Sequence, residues 1–180
     1  MNEFFNNYFQ QINDGNRSID YLELILISDM INKVNKDGGI IYIIGNGGSA
    51  AIASHAAIDF TKAANIPATT FNETSLLTCF ANDYGYEYWV EKALEFYAKE
   101  NDMVIFISSS GQSKNIINGA RKAKDMGLPL VTLSGFLSTN PLRELGDVNL
   151  WIDSSKYNIV EIVHQNWILS IIDFLIFTDS

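Results

Sequence analysis

Four short, nearly uninterrupted runs of apolar, largely β-branched residues organise the chain, at 39–44, 103–107, 130–133 and 148–152. Each is bounded by glycine, proline, serine or aspartate. That pattern predicts strands buried on both faces. A weaker run at 68–71, after Pro67, predicts a fifth. Between them, apolar positions recur at helical spacing over 49–64, 86–99, 113–126 and the shorter 141–145. Strands that alternate with helices build βαβ units. The expected fold is therefore α/β, a three-layer sandwich around a parallel sheet, as one domain over residues 1–180. Such sheets bind ligands beyond the carboxyl ends of their strands.

Two longer helices are predicted at 18–35 and 157–177. Both are apolar around more than the single stripe that a surface helix buries. A chain of this size cannot cover them from all sides, so packing against further copies is expected, with residues 1–37 as an N-terminal helical region used in that packing.

Composition narrows the function classes. Of 180 residues, 47% are hydrophobic and 18% charged, which suits a packed core rather than disorder. A net charge of −9 argues against nucleic-acid backbones and anionic membranes as partners. The single cysteine, Cys79, cannot form an intrachain disulfide, which fits a reducing compartment. Its neighbours Leu76, Leu77 and Phe80 mark it as a buried thiol. The opening "MNEFFNNYFQQ" lacks the basic and apolar regions of a signal peptide. Glu161, His164, Gln165, Asn166 and Asp173 interrupt the apolar C-terminal stretch, so it is not read as a membrane span. A cytoplasmic protein is expected.

The candidate chemistry lies after two strands. The first is followed by "GNGGSAAIASH", residues 45–55, in which Gly45, Gly47 and Gly48 lead into a helix. Glycines permit positive φ and close backbone approach, and a helix N-terminus offers free N–H groups to an anion. The stretch matches neither the Walker A loop nor the dinucleotide G-x-G-x-x-G spacing, and a plain tight turn explains it equally well. The strand at 103–107 is followed by "SSSGQS", residues 108–113. One helix cap accounts for Ser113 but not for Ser108, Ser109 and Ser110, so the turn reads as a phosphate cradle. No nucleotide cofactor is expected, and nothing marks a platform for a flavin ring.

These segments, with "ANDYGYE" at 81–87, "ISSSGQSKNI" at 107–116 and "IVEIVHQN" at 159–166, resemble the sugar isomerase (SIS) domain family. Within it they are most similar to the sedoheptulose 7-phosphate (phosphoheptose) isomerase branch. The resemblance implies a flavodoxin-like five-stranded SIS fold and a homotetramer with sites between subunits. It implies phosphate binding by Ser108, Ser109, Ser110 and Ser113, and a sugar site lined by Asn46, Gly47 and Ser49 with Asp83 nearby. It also implies a divalent metal, most often zinc, with Mn²⁺ or Fe²⁺ as alternatives.

In that family a histidine and a glutamate four residues on hold the metal, together with a glutamine and a second histidine of the last helix. The glutamate and second histidine serve as base and acid for an enediolate. Here His55 and Asp59 occupy the first pair, one methylene shorter at the carboxylate. Matching the last helix places Glu161 at the glutamine, giving His55, Asp59 and Glu161 as metal ligands. Leu169 stands where the acid histidine would be, and leucine transfers no proton. Asp59 is the candidate base, and Glu161 or His164 the candidate acid. His164, a position at which the branch often carries a histidine beside the catalytic one, reads first as a supporting group. Two functions stay open: a metal-assisted ketose–aldose isomerase, and a non-catalytic SIS protein that binds phosphosugars or docks a partner, as a replication-initiator-binding relative does.

Overall fold

The computed structural model describes residues 1–178. Its strands are β1 (Ile41–Gly45), β2 (Ala68–Thr69), β3 (Met103–Ser108), β4 (Leu130–Ser134) and β5 (Val148–Trp151). They form one sheet in the order β2-β1-β3-β4-β5, parallel throughout. Strands β1, β3 and β4 are buried along their whole length, which is why they read as unbroken apolar runs.

Helices cover both faces. Against one lie α2 (Tyr21–Lys36), α3 (Gly48–Lys62) and α7 (Tyr157–Thr178), whose Ile27, Ile31, Phe60 and Trp167 pack on Ile43 and Ile105. Against the other lie α5 (Trp89–Tyr97) and α6 (Lys114–Asp125), with Trp89 and Ile116 over Ile44 and Phe106. Helix α1 (Asn2–Arg17) leans on the first core through Tyr8 and Ile12. By length and composition α7 could cross a membrane, but half of it is buried against its own protein, at Val160, Val163, Trp167, Ile168 and Ile171 among others. It is a core helix.

The structure revises several details. The helix expected from residue 18 starts after Asp20, whose carboxylate accepts from the Leu22 N–H at 2.9 Å. A helix absent from the expectation, α4 (Thr74–Tyr84), starts at Glu73, which caps the Leu76 N–H at 2.7 Å. None of its residues is buried, and Cys79 is exposed, which overturns the buried-thiol reading. Residues 141–145 form turns instead of a helix. Buried Asn140 holds them, donating to Ser134 Oγ and to the Gly135 and Leu137 carbonyls while accepting from the Arg143 N–H.

The strand order creates the place for a site. From β1 the chain moves outward to β2, then returns across the sheet to β3. The connections leaving β1 and β3 therefore enter helices on opposite faces, α3 and α6. A crevice at such a reversal is where open α/β sheets take ligands.

Candidate active site

The three glycines after β1 serve three different purposes. At Gly45 a side chain would collide with Ser49, whose backbone and Cβ lie 2.7 Å from where it would start, so this glycine lets α3 close onto the strand tip. Gly47 has φ of 56°, the left-handed region that favours glycine. Gly48 lies directly under the Glu161 carboxylate of α7, and any side chain there would strike it. The N-terminus of α3 thus already has a carboxylate against it, supplied by the protein itself, and that negative charge suits the helix dipole.

The serine turn is different. Its helix, α6, has no acidic residue in its first turn, and Ser113 at its cap makes no side-chain hydrogen bond to it. The Gly111 N–H donates to the Ser108 carbonyl at 3.0 Å, closing a turn in which Gly111 has φ of 63°. Ser110 Oγ accepts from the Gln112 N–H at 3.2 Å. Ser108 and Ser109 are buried, and among the described residues the Ser109 hydroxyl has no partner. A buried hydroxyl without a partner costs roughly 1–3 kcal/mol, and a bound oxyanion would relieve that cost. Of the two loops, this one holds a buried hydroxyl that an oxyanion would satisfy.

The loops meet. Asn46 and Asn115, at the start of α6, exchange two amide hydrogen bonds of 2.9 Å each. The Tyr86 hydroxyl donates to Asn46 Oδ1 at 3.2 Å. Tyr86, from the "ANDYGYE" segment, is thus what reaches the glycine loop. Asp83 is exposed on α4, accepting from Asn82 at 2.9 Å, with Cys79 Sγ 3.7 Å away.

Along the seam between α3 and α7 runs a line of polar groups. His55 Nε2 stands 3.1 Å from Asp59 Oδ2. The Gln165 amide donates to His55 Nδ1 at 2.8 Å, which leaves the ring proton on Nε2, facing Asp59. Glu161, one helical turn before Gln165, lies over Gly48. Both line a cavity of about 380 Å³ with Tyr8, Ala51, Ile52 and Asn158. Leu169 continues the same face of α7 one turn further on.

Two of the expected roles need correction. Glu161 does not join His55 and Asp59 as a ligand: among the described residues, no three His, Cys, Asp or Glu side chains could hold a metal together. The groups that do come together are an imidazole, a carboxylate and a carboxamide, from His55, Asp59 and Gln165. Both ring nitrogens of His55 are engaged in these contacts, so a Zn²⁺ ion would take the place of one of them. Sequence reasoning passed over Gln165, although the i+4 step from Glu161 puts it on the same helix face.

His164 is not an acid that a substrate can reach. It is fully buried beside Trp167, and its Nε2–H donates to the Ser134 carbonyl at 3.1 Å. Desolvation pushes its pKa down from 6.5 to about 4, against a smaller opposing effect of the carbonyl. Because the folded value lies below the unfolded one, the neutral ring's contribution to stability is complete above pH 6.5 and is lost as pH falls toward 4. Stability should decline across that window by roughly 1.4 kcal/mol per pH unit from this group. Urea unfolding at pH 7, 6 and 5 should show the decline, with a shallower dependence in His164→Gln.

Comparison with known proteins agrees with this architecture. Residues 6–135 match the family model described as the SIS domain. A probable phosphoheptose isomerase of Thermoplasma volcanium is 34% identical over 176 residues, covering 92% of this chain and 89% of that protein. A phosphoheptose isomerase of Aliarcobacter butzleri is 35% identical over 147 residues, 77% of each chain. The solved phosphoheptose isomerase of Neisseria gonorrhoeae superposes with a TM-score of 0.87 at 24% identity, covering 96% of this chain and 95% of that one. With the sheet order, the paired strand-tip loops and this similarity together, the chain belongs to the SIS domain family, among the relatives of the phosphoheptose isomerases.

Proposed function

We propose that the protein is a phosphosugar ketose–aldose isomerase acting on sedoheptulose 7-phosphate or a similar ketose phosphate. The observation that carries this reading is the junction of the serine turn with the glycine loop whose helix bears His55 and Asp59. The phosphate would rest on Ser108, Ser109, Ser110 and Ser113, with Asn46, Gly47 and Ser49 toward the sugar. Asp59 takes a proton from C1 of the ketose and returns it to C2, while the hydroxyl proton moves from O1 to O2. With His164 sealed in the core, Glu161 is the group on the seam that remains to handle the oxygen protons. We place a divalent ion, Zn²⁺ or alternatively Mn²⁺ or Fe²⁺, at His55, Asp59 and Gln165, where it would polarise the two adjacent sugar oxygens.

Self-association belongs to the same reading. Phe4, Phe5 and Phe9 on α1 and Tyr21, Leu22, Ile25 and Leu26 on α2 are exposed, more apolar surface than isolated residues explain. A homotetramer would cover it and should be seen by sedimentation.

The deciding experiment offers C5–C7 ketose phosphates to the purified protein with Zn²⁺ or Mn²⁺, then repeats the assay after chelation. Aldose formation that disappears with the metal is expected. Measurable phosphosugar binding without turnover would favour the non-catalytic reading, which Leu169 supports. Leu169→His should raise kcat by about tenfold or more if the missing acid limits the rate. No gain would count against the position given to Leu169.

A further inference from the structure

Asn46 is held more tightly than lining a sugar site requires. Its Oδ1 accepts two hydrogen bonds, from Asn115 Nδ2 at 2.9 Å and from the Tyr86 hydroxyl at 3.2 Å. Its Nδ2 donates one proton to Asn115 Oδ1, also at 2.9 Å. A carboxamide has two lone-pair sites and two N–H donors. Both acceptor sites are therefore in use, and the one open valence is the second N–H. Asn115 is itself buried, at 2% exposure, and sits on the first turn of α6 beside the serine turn. The pair ties together two loops 69 residues apart in sequence, at the point where the sheet order reverses.

We propose that Asn115, with Tyr86, is a positioning residue that fixes Asn46 as a one-way hydrogen-bond donor toward the sugar's oxygens. An unrestrained asparagine presents its oxygen as readily as its nitrogen. One whose oxygen is saturated can only donate, which is what negative charge developing on an enediolate oxygen requires. The same tie sets the spacing between phosphate grip and sugar head, and small errors in such spacing are costly to rate. This inference rests on the isomerase reading, so its test carries a measurement that does not depend on turnover.

Asn115→Leu keeps the volume and removes both amide bonds. It should lower kcat for the ketose phosphate by about tenfold or more, with KM and the Kd for inorganic phosphate each changing less than about threefold. Tyr86 is exposed, so Tyr86→Phe raises no folding question. It should lower kcat by about threefold. In the wild-type protein, NMR should show the Asn46 side-chain amide protons exchanging slowly with solvent, and Asn115→Leu should abolish that protection. Unchanged kcat in both variants overturns the proposal. So does unprotected exchange at Asn46 in the wild type. If no ketose phosphate is turned over at all, the isomerase reading falls, and the exchange measurement alone decides whether the tie exists.

Discussion

Asp59→Asn is expected to reduce kcat by about 10²- to 10⁴-fold, the range for removing a positioned general base. Phosphosugar affinity should stay near wild type, because the proposed phosphate site is the serine turn at the other strand tip. The fold should be indifferent. Asp59 is partly exposed and its contact with His55 is an i, i+4 surface pair, worth about 0.3–0.5 kcal/mol. Isothermal titration, thermal melting and steady-state kinetics on one preparation separate these three statements. A variant that keeps more than about a tenth of wild-type kcat would remove Asp59 from the role of base.

Ser109→Ala should change affinity and stability in opposite directions. The wild-type hydroxyl is buried and has no partner among the described residues. Removing it relieves an unsatisfied polar group, so the ligand-free protein should melt at the same temperature or higher. The same change would remove the proposed hydrogen bond to a charged phosphate, worth about 1.5–3 kcal/mol, or roughly a 10- to 150-fold loss in phosphosugar affinity. A structural serine would lose stability and leave affinity alone. Melting with and without ligand tells the two apart, and lower stability with unchanged affinity would sink the phosphate assignment.

The strands were readable because helices seal both sheet faces, leaving runs such as Met103–Ser108 no polar position to interrupt them. The α3, α6 and α7 helices were legible for a similar reason, each burying a broad face. Helix α4 was not. Its apolar residues Leu76, Leu77, Phe80 and Ala81 are only half-buried against the second core, a short stripe that does not stand out, and the Glu73 cap is the main local sign of its start. The stretch at 141–145 misled because its apolar spacing resembles a helix turn, while the side chain that fixes it, Asn140, lies just outside. In the site, both strand-tip loops could be found from composition. Their junction through Asn46 and Asn115 could not, since it depends on β1 and β3 being neighbours. Gln165 was hidden for a different reason. The motif match falls on Glu161, whereas helix geometry places the next turn, not the matched residue, against His55.

The glycine at 48 and the acid at 161 constrain each other's history. While the Glu161 carboxylate keeps its place over α3, a side chain at position 48 must push it aside. A bulkier residue at 48 therefore comes at the expense of the present position of the 161 carboxylate. The two positions should therefore drift together, with tolerance at either one depending on the residue at the other.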